Sequence, residues 1–316
     1  MNSNRYAIVG TGALGGLYGA LLAKAGLDVH FLLHHDYEHV RRHGLRVDSI
    51  WGDFALDRVN AYASTAEMPP CDVVCVCLKT TANHLLPELL APLARPGTVI
   101  LLMQNGLGAE EEVAAAFPSA KVGGAMCYLC SNRVGPGHIH HVDYGQIAFG
   151  AHSPGMERDI ERILADFKRT PIPVDRTNDL KTGRWKKLVW NIPYNGLSVV
   201  LDAGTDEIMA NPQTAALACD LMRETIAGAR ASGAAVDESY ADWIMDFTRK
   251  MKPYKTSMML DYEAKRPLET EYLYRRPLEA ARRAGVMLPR IETLTALLDH
   301  LDARNRATPS TRSART

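Results

Sequence analysis

The apolar positions of this chain change their period near the middle. Up to about residue 176 they come as short continuous runs: YAIV at 6–9, VHFLL at 29–33, CDVVCVCLK at 71–79 and TVILLMQNG at 98–106. Between these runs lie helical pieces. LYGALLAKAG is rich in Ala and Leu and stops at Gly26, and HLLPELLAPLA carries Pro87 early. Apolar runs of strand length that alternate with helices imply a parallel sheet covered on both faces. ERDIERILADFKRT then reads as an amphipathic helix, and PIPVDRT as a short strand or linker.

From Asp179 onward apolar residues recur at spacings of three and four, the helical period. Residues 179–203, 211–233 and 239–251 all read this way, with Asn211 and Pro212 suited to a helix start and Gly233 to a stop. The predicted fold class is therefore α/β. A Rossmann-type, doubly wound parallel sheet covers residues 1–176, and an all-helical domain covers 177–305. Residues 306–316 are polar and apolar-poor, and are predicted to be disordered.

The first run feeds directly into Gly10-Thr-Gly12-Ala13-Leu14-Gly15. GxGxxG has mechanical meaning where it joins a strand to a helix and a second strand follows. Gly10 permits the tight turn, Gly12 lets the backbone approach a pyrophosphate, and Gly15 lets the helix pack on the strand. The N–H groups of Ala13 and Leu14 open the helix and face the anion. Ligands of such sheets bind beyond the carboxyl ends of the strands. Lys79 and Asn105 stand there, as site residues or simply as strand caps. The end of the second strand selects the cofactor, because an NAD enzyme places a carboxylate there for the ribose hydroxyls. Here the residues are Leu33, His34, His35 and then Asp36. With no acid at the strand end itself, NADP is favoured and His34 is a candidate for its 2′-phosphate. Asp36 would serve a ribose hydroxyl if the turn is shifted.

Charge adds an exclusion. Lys+Arg and Asp+Glu are 36 each, so no net field recommends nucleic acid or an anionic membrane as partner. No apolar run approaches transmembrane length, and MNSNRYAIVG lacks the shape of a signal peptide. A cytoplasmic location is expected. Six cysteines suit a reducing compartment. Cys127 and Cys130 form a lone CxxC, while His138, His140 and His141 alternate like a strand. Neither is a metal-ligand set, and no metal is expected.

In GRWKKLVWNIPYN, residues 183–195, a helical period puts Trp185, Leu188, Val189 and Ile192 on one face. Lys187, Asn191 and Asn195 fall four apart on the opposite one. Two asparagines are poor helix formers, and Pro193 removes the hydrogen bond to the Val189 carbonyl. A solvated stripe needs neither feature, so surface and site both stand. Pro193 reads as a kink that aims Asn195.

Taken together these motifs resemble the ketopantoate reductase (2-dehydropantoate 2-reductase) family over about residues 5–300. GTGALGG resembles its dinucleotide turn, CLKT and QNGLG its strand-end signatures, and WKKLVWN its lysine helix. TSMMLDYEAKRPLETEYL resembles its serine-to-glutamate segment. The resemblance implies an NADP-dependent oxidoreductase acting on a CH–OH group. It would reduce a 2-keto acid with NADPH, foremost 2-dehydropantoate to pantoate in pantothenate biosynthesis. Lys187, rather than Lys186, would be the catalytic lysine. Glu269 would hold that lysine or the nascent hydroxyl and also touch the cofactor. Asn105, Asn191, Asn195 and Ser257 would bind substrate. Lys79 and Asn105 would also lie near the cofactor. By sequence pattern alone, Ser257 reads as a helix cap and Glu269 as a surface carboxylate, and it is the resemblance that gives them site roles. The alternatives are a reductase for a different 2-keto acid and a catalytically silent NADP-binding sensor. The apolar helices of the second half leave both a homodimer and a monomer open.

Overall fold

The computed structural model describes residues 3–307, which form two compact units. One comprises the chain up to Gln104 together with Ala109–Leu180. The other comprises Asn105–Gly108 together with the chain from Lys181 onward.

The first unit is a sheet with its own apolar core. Its elements are β1 (Arg5–Val9), α1 (Ala13–Lys24), β2 (Asp28–Leu32), α2 (Tyr37–His43), β3 (Leu45–Ser49), β4 (Phe54–Leu56) and β5 (Asn60–Tyr62). β6 (Val73–Val76), α3 (Leu86–Leu90), β7 (Val99–Leu102) and α4 (Ala109–Ala116) follow, and then β8 (Lys121–Gly135), β9 (His138–Ala151), α5 (Glu157–Phe167) and β10 (Val174–Arg176). β5, β2, β1, β6, β7 and β8 lie side by side and parallel. Counted among themselves in chain order they run 3-2-1-4-5-6, the dinucleotide-binding order.

The sheet differs from the wholly parallel one expected. β8 turns back at Gly137 (φ +61°) into β9, which pairs with it antiparallel. β3 and β10 add to β9 in parallel, and β4 adds to β3 antiparallel. The reason is local: a two-residue turn between extended segments makes a hairpin, whereas a parallel neighbour needs a long crossover. The strands are fully buried where the apolar runs are densest, so β6 is four residues where nine were expected. The residues beyond it bend away as a 3-10 turn, Thr80–Leu85. α5 buries Ile160, Ile163 and Phe167 at helical spacing against this core.

Among its described residues the second unit has helices as its only regular secondary structure. It contains α6 (Leu180–Leu201, whose first residue belongs to the sheet unit), α7 (Thr205–Ala210), α8 (Pro212–Ala231), α9 (Tyr240–Arg249) and α10 (Ser257–Glu263). A π-helical turn, Glu271–Arg275, leads into α11 (Arg276–Arg283), and α12 (Pro289–Ala307) follows. The Asn211 side chain caps α8 by accepting from the N–H groups of Gln213 and Thr214, at 2.9 and 3.4 Å, and Gly233 closes it with φ +83°. Trp185, Leu188, Val189 and Ile192 of α6 are buried in a separate core with Leu221, Met222 and Tyr274. α6 runs through Pro193 as one helix. α12 continues to Ala307, so Arg306 and Ala307 are helical where disorder was expected; residues 308–316 lie outside the described residues. Among the described residues no helix is long and apolar enough to cross a membrane.

Candidate active site

In the sheet unit the glycine turn occupies the reversal point of the strand order. β1 ends flush with β6, Val9 opposite Val76, so Gly10 and the segment 77–79 emerge at one edge. Gly10 has φ +104°, and a Cβ there would lie 2.7 Å from the Leu78 nitrogen. A Cβ on Gly15 would lie 2.2 Å from the Gly10 carbonyl oxygen. Gly12 is different, since a Cβ there would meet nothing within 4 Å. The turn is thus packed from below and open above Gly12, as close approach of a pyrophosphate requires. Gly12 is the N-cap of α1 and provides no side-chain cap. The first N–H groups of a helix have no intrahelical acceptor, so those of Ala13 and Leu14 suit an anion. Thr11 Oγ1 donates to the Leu32 carbonyl at 2.8 Å and ties the turn to the end of β2. These residues fit a dinucleotide.

Lys79 is exposed just beyond β6. Beside it, Gln104 Nε2 donates to the Leu78 carbonyl at 2.9 Å and to Asn83 Oδ1 at 2.6 Å, fastening the ends of β6 and β7. Asn83 carried no signal in the sequence, because a lone amide has no spacing to recognise, and Gln104 entered only as part of QNGLG. His34 and His35 are exposed beyond β2, with ring centroids 4.0 Å apart. Asp36 is buried, and both its oxygens are engaged. Arg133 Nη1 lies 2.6 and 2.7 Å from them, and the Gly137 N–H donates at 3.2 Å. This corrects the expectation that Asp36 could turn to a ribose hydroxyl. The guanidinium that engages Asp36 comes from β8, 97 residues away.

In the helical unit the stripe on α6 is not a wet surface. Asn191 is 6% and Asn195 2% exposed, and Lys187 is half-buried. Among the described residues Asn191 Nδ2 is a buried donor with no hydrogen-bond partner. Lys186 lies with its Nζ 5.5 Å from the centre of the Tyr240 ring, a packing contact.

Ser257 is not the cap of α10. Thr256 is: its hydroxyl accepts from the Met259 N–H at 3.2 Å and shares a 2.6 Å hydrogen bond with Ser198 of α6. That bond joins the start of α10 to α6 one turn beyond Asn195. Ser257 follows, half-buried, and its hydroxyl has no hydrogen-bond partner among the described residues. Glu269 is 5% exposed, not the surface carboxylate that its residue type would suggest. Five residues on, Tyr274 donates to the Ile192 carbonyl at 3.0 Å, which holds this segment on α6 beside Asn191. Asn105 belongs to the helical unit, although it was read as the end of a sheet strand. The neighbouring Leu107 N–H donates to the Tyr272 carbonyl at 3.0 Å, and a Cβ on Gly106 (φ +103°) would lie 2.6 Å from that same oxygen. The segments bearing Asn105, Ser257 and Glu269 are thus all fastened in the unit that carries Lys187, Asn191 and Asn195. The glycine turn, His34 and Lys79 belong to the sheet unit.

A sequence profile described as ketopantoate reductase PanE/ApbA matches residues 6–154, and one for the C-terminal part of the same family matches 179–302. The chain belongs to the ketopantoate reductase family. It is 53% identical to a 2-dehydropantoate 2-reductase of Nostoc sp., over 97% of this chain and 98% of that protein. The crystal structure of a 2-dehydropantoate 2-reductase from Geobacter metallireducens superposes with a TM-score of 0.91 at 45% identity, covering 94% of this chain and 99% of that one. The enzyme from Methylococcus capsulatus superposes with a TM-score of 0.88 at 35% identity, covering 98% and 99%. As a ketopantoate reductase family member the chain is an oxidoreductase, and the family's nicotinamide chemistry matches the open glycine turn.

Proposed function

We propose that this protein reduces 2-dehydropantoate to pantoate with NADPH, the step that its relatives from Nostoc and Geobacter are named for. The observation that carries this reading is the buried Asn191 amide, whose Nδ2 donor has no acceptor of its own among the described residues. An unsatisfied buried donor costs about 1–3 kcal/mol. It is tolerated where a ligand supplies the acceptor, and a 2-keto acid offers both a carboxylate and a carbonyl. Asn195 lies one turn further along the same stripe, and Ser257 brings a second uncommitted donor.

When bound, NADPH supplies the hydride. The chain's own residues handle the charge and the proton. As the ketone carbon is reduced, its oxygen gains an electron pair, and the Lys187 ammonium stabilises that charge and transfers one proton to it. The neutral amine left behind is reprotonated from solvent. Glu269, a buried carboxylate, orients the lysine or the new hydroxyl. Asn191, Asn195 and Ser257 hold the carboxylate and hydroxyl of the substrate. Asn105 would touch both substrate and cofactor. Lys79, His34 and the amides at Gly12, Ala13 and Leu14 would hold the cofactor's phosphates.

A panel of 2-keto acids followed through the loss of NADPH absorbance tests the reading, with 2-dehydropantoate expected to give the highest kcat/KM. Lys187→Ala should lower kcat by roughly 100- to 10,000-fold while NADPH still quenches tryptophan fluorescence. Lys186→Ala should change kcat little. Full turnover in Lys187→Ala would remove the proton-donor role, and no activity on any keto acid would favour the silent sensor.

A further inference from the structure

We propose that Arg133 is a cofactor-specificity residue: it masks Asp36 and, with His34 and His35, forms the site for the 2′-phosphate of NADP. The inference deepens the NADPH reading above and rests on it. In a dinucleotide-binding sheet, the carboxylate about 20 residues beyond the last glycine of the turn reads the ribose hydroxyls of NAD and repels a phosphate placed there. Asp36 stands at that distance from Gly15. Its carboxylate is nevertheless turned away from such a role. One oxygen lies 2.6 Å and the other 2.7 Å from Arg133 Nη1, and the second also accepts from the Gly137 N–H at 3.2 Å.

Arg133 arrives from β8, not from the end of β2. The hairpin is held against the nucleotide turn, because Ser131 Oγ donates to the Ala13 carbonyl at 3.4 Å and Tyr18 donates to the Gly145 carbonyl at 3.2 Å. A single nitrogen of the guanidinium satisfies Asp36. Among the described residues, Nε and Nη2 have no other hydrogen-bond partner, and the side chain is 45% exposed. An arginine anchored in this way is pre-organised, with donors left for a second anion. The imidazoles of His34 and His35 stand exposed on the same strand end and add further donors. The cation neutralises the acid that would select NAD, and its remaining N–H groups are left for the phosphate that distinguishes NADP.

The test is a calorimetric titration of the full-length protein with 2′,5′-ADP and with 5′-AMP, which differ only in the 2′-phosphate. The parent should bind 2′,5′-ADP more tightly. Arg133→Met should erase roughly tenfold to a hundredfold of that preference, the worth of a hydrogen bond to a charged group, and leave 5′-AMP affinity unchanged. Arg133→Lys keeps a cation for Asp36 but has no second nitrogen for the phosphate. It should fold as the parent does, by thermal melting, and still lose preference; it decides the matter if Arg133→Met does not fold. Equal weakening of both ligands would reduce Arg133 to a tie for the hairpin and overturn the proposal. A parent that discriminates alongside variants that discriminate equally overturns Arg133 alone. A parent that binds both ligands equally overturns the NADPH reading and this site with it.

Discussion

Lys186 and Lys187 are adjacent in the chain and have different surroundings. Lys186 packs over Tyr240, while Lys187 is half-buried on the stripe with Asn191 and Asn195. The four-residue spacing of that stripe was legible in the sequence; the burial of its amides was not, because a helix drawn alone does not say which of its faces are covered. His141 shows what covering does to a titrating group. It is 1% exposed, its Nδ1 lies 2.9 Å from Ser49 Oγ, and its Nε2 faces the Asp143 and Tyr144 carbonyls at 3.1 and 2.9 Å. Burial pushes its pKa below the usual 6.5, against the opposing pull of the two carbonyls. The unfolded chain therefore takes up a proton near pH 6.5 that the folded chain resists. Stability from this group is fully present above that pH and falls as the pH drops through it towards the folded pKa. Thermal melts between pH 8 and 5.5 should show Tm falling with acid, and His141→Gln should flatten the slope. His30 is shifted in the same direction by burial, so some slope should remain. An unchanged slope in His141→Gln would deny the group its part.

Among the elements, α10 shows how one residue divides structure from chemistry. The sequence pattern put Ser257 at the cap, but Thr256 holds that position, and its hydroxyl spans Met259 and Ser198. The distinction was not legible because Thr256 and Ser257 are both good caps, and only the approach of α6 chooses between them. Thr256→Val keeps the volume and removes both hydrogen bonds. It should cost about 1–2 kcal/mol in urea-unfolding experiments. Because α10 then starts less firmly, the keto-acid KM should rise with little change in NADPH affinity. An unaltered KM would mean that the cap does not position Ser257. The β8–β9 hairpin is the element least visible beforehand. Its histidines alternate as a strand does, but alternation names no partner, and so Arg133 could not be assigned to Asp36.

At the scale of the whole molecule, each unit closes its own core. In the sheet unit that core encloses Cys75 of β6. Cys75 is fully buried and burial raises its thiol pKa; Cys71, just before the strand, is pushed up to about 12 by the same cause. The thiolate is the reactive form, so both should resist Ellman's reagent at pH 8 in the native protein. They should react at the rate at which the unit unfolds as denaturant is added. Rapid modification without denaturant would show that the sheet opens locally at β6.

Local information determined a good deal by itself. The strand–GxGxxG–helix order, the change from continuous to helical periodicity, the caps at Asn211 and Gly233, and the Lys187 stripe all depend on neighbours within a few turns of chain. Those are set by backbone sterics and by the side-chain period. Tertiary structure decided what depends on residues far apart. It engaged Asp36 with a guanidinium 97 residues away, buried the Asn191 amide donor with no acceptor among the described residues, and took Asn105 into the helical unit. The physical reason is that burial and ion pairing are properties of the space around a side chain. That space is filled by segments whose arrival no local pattern specifies.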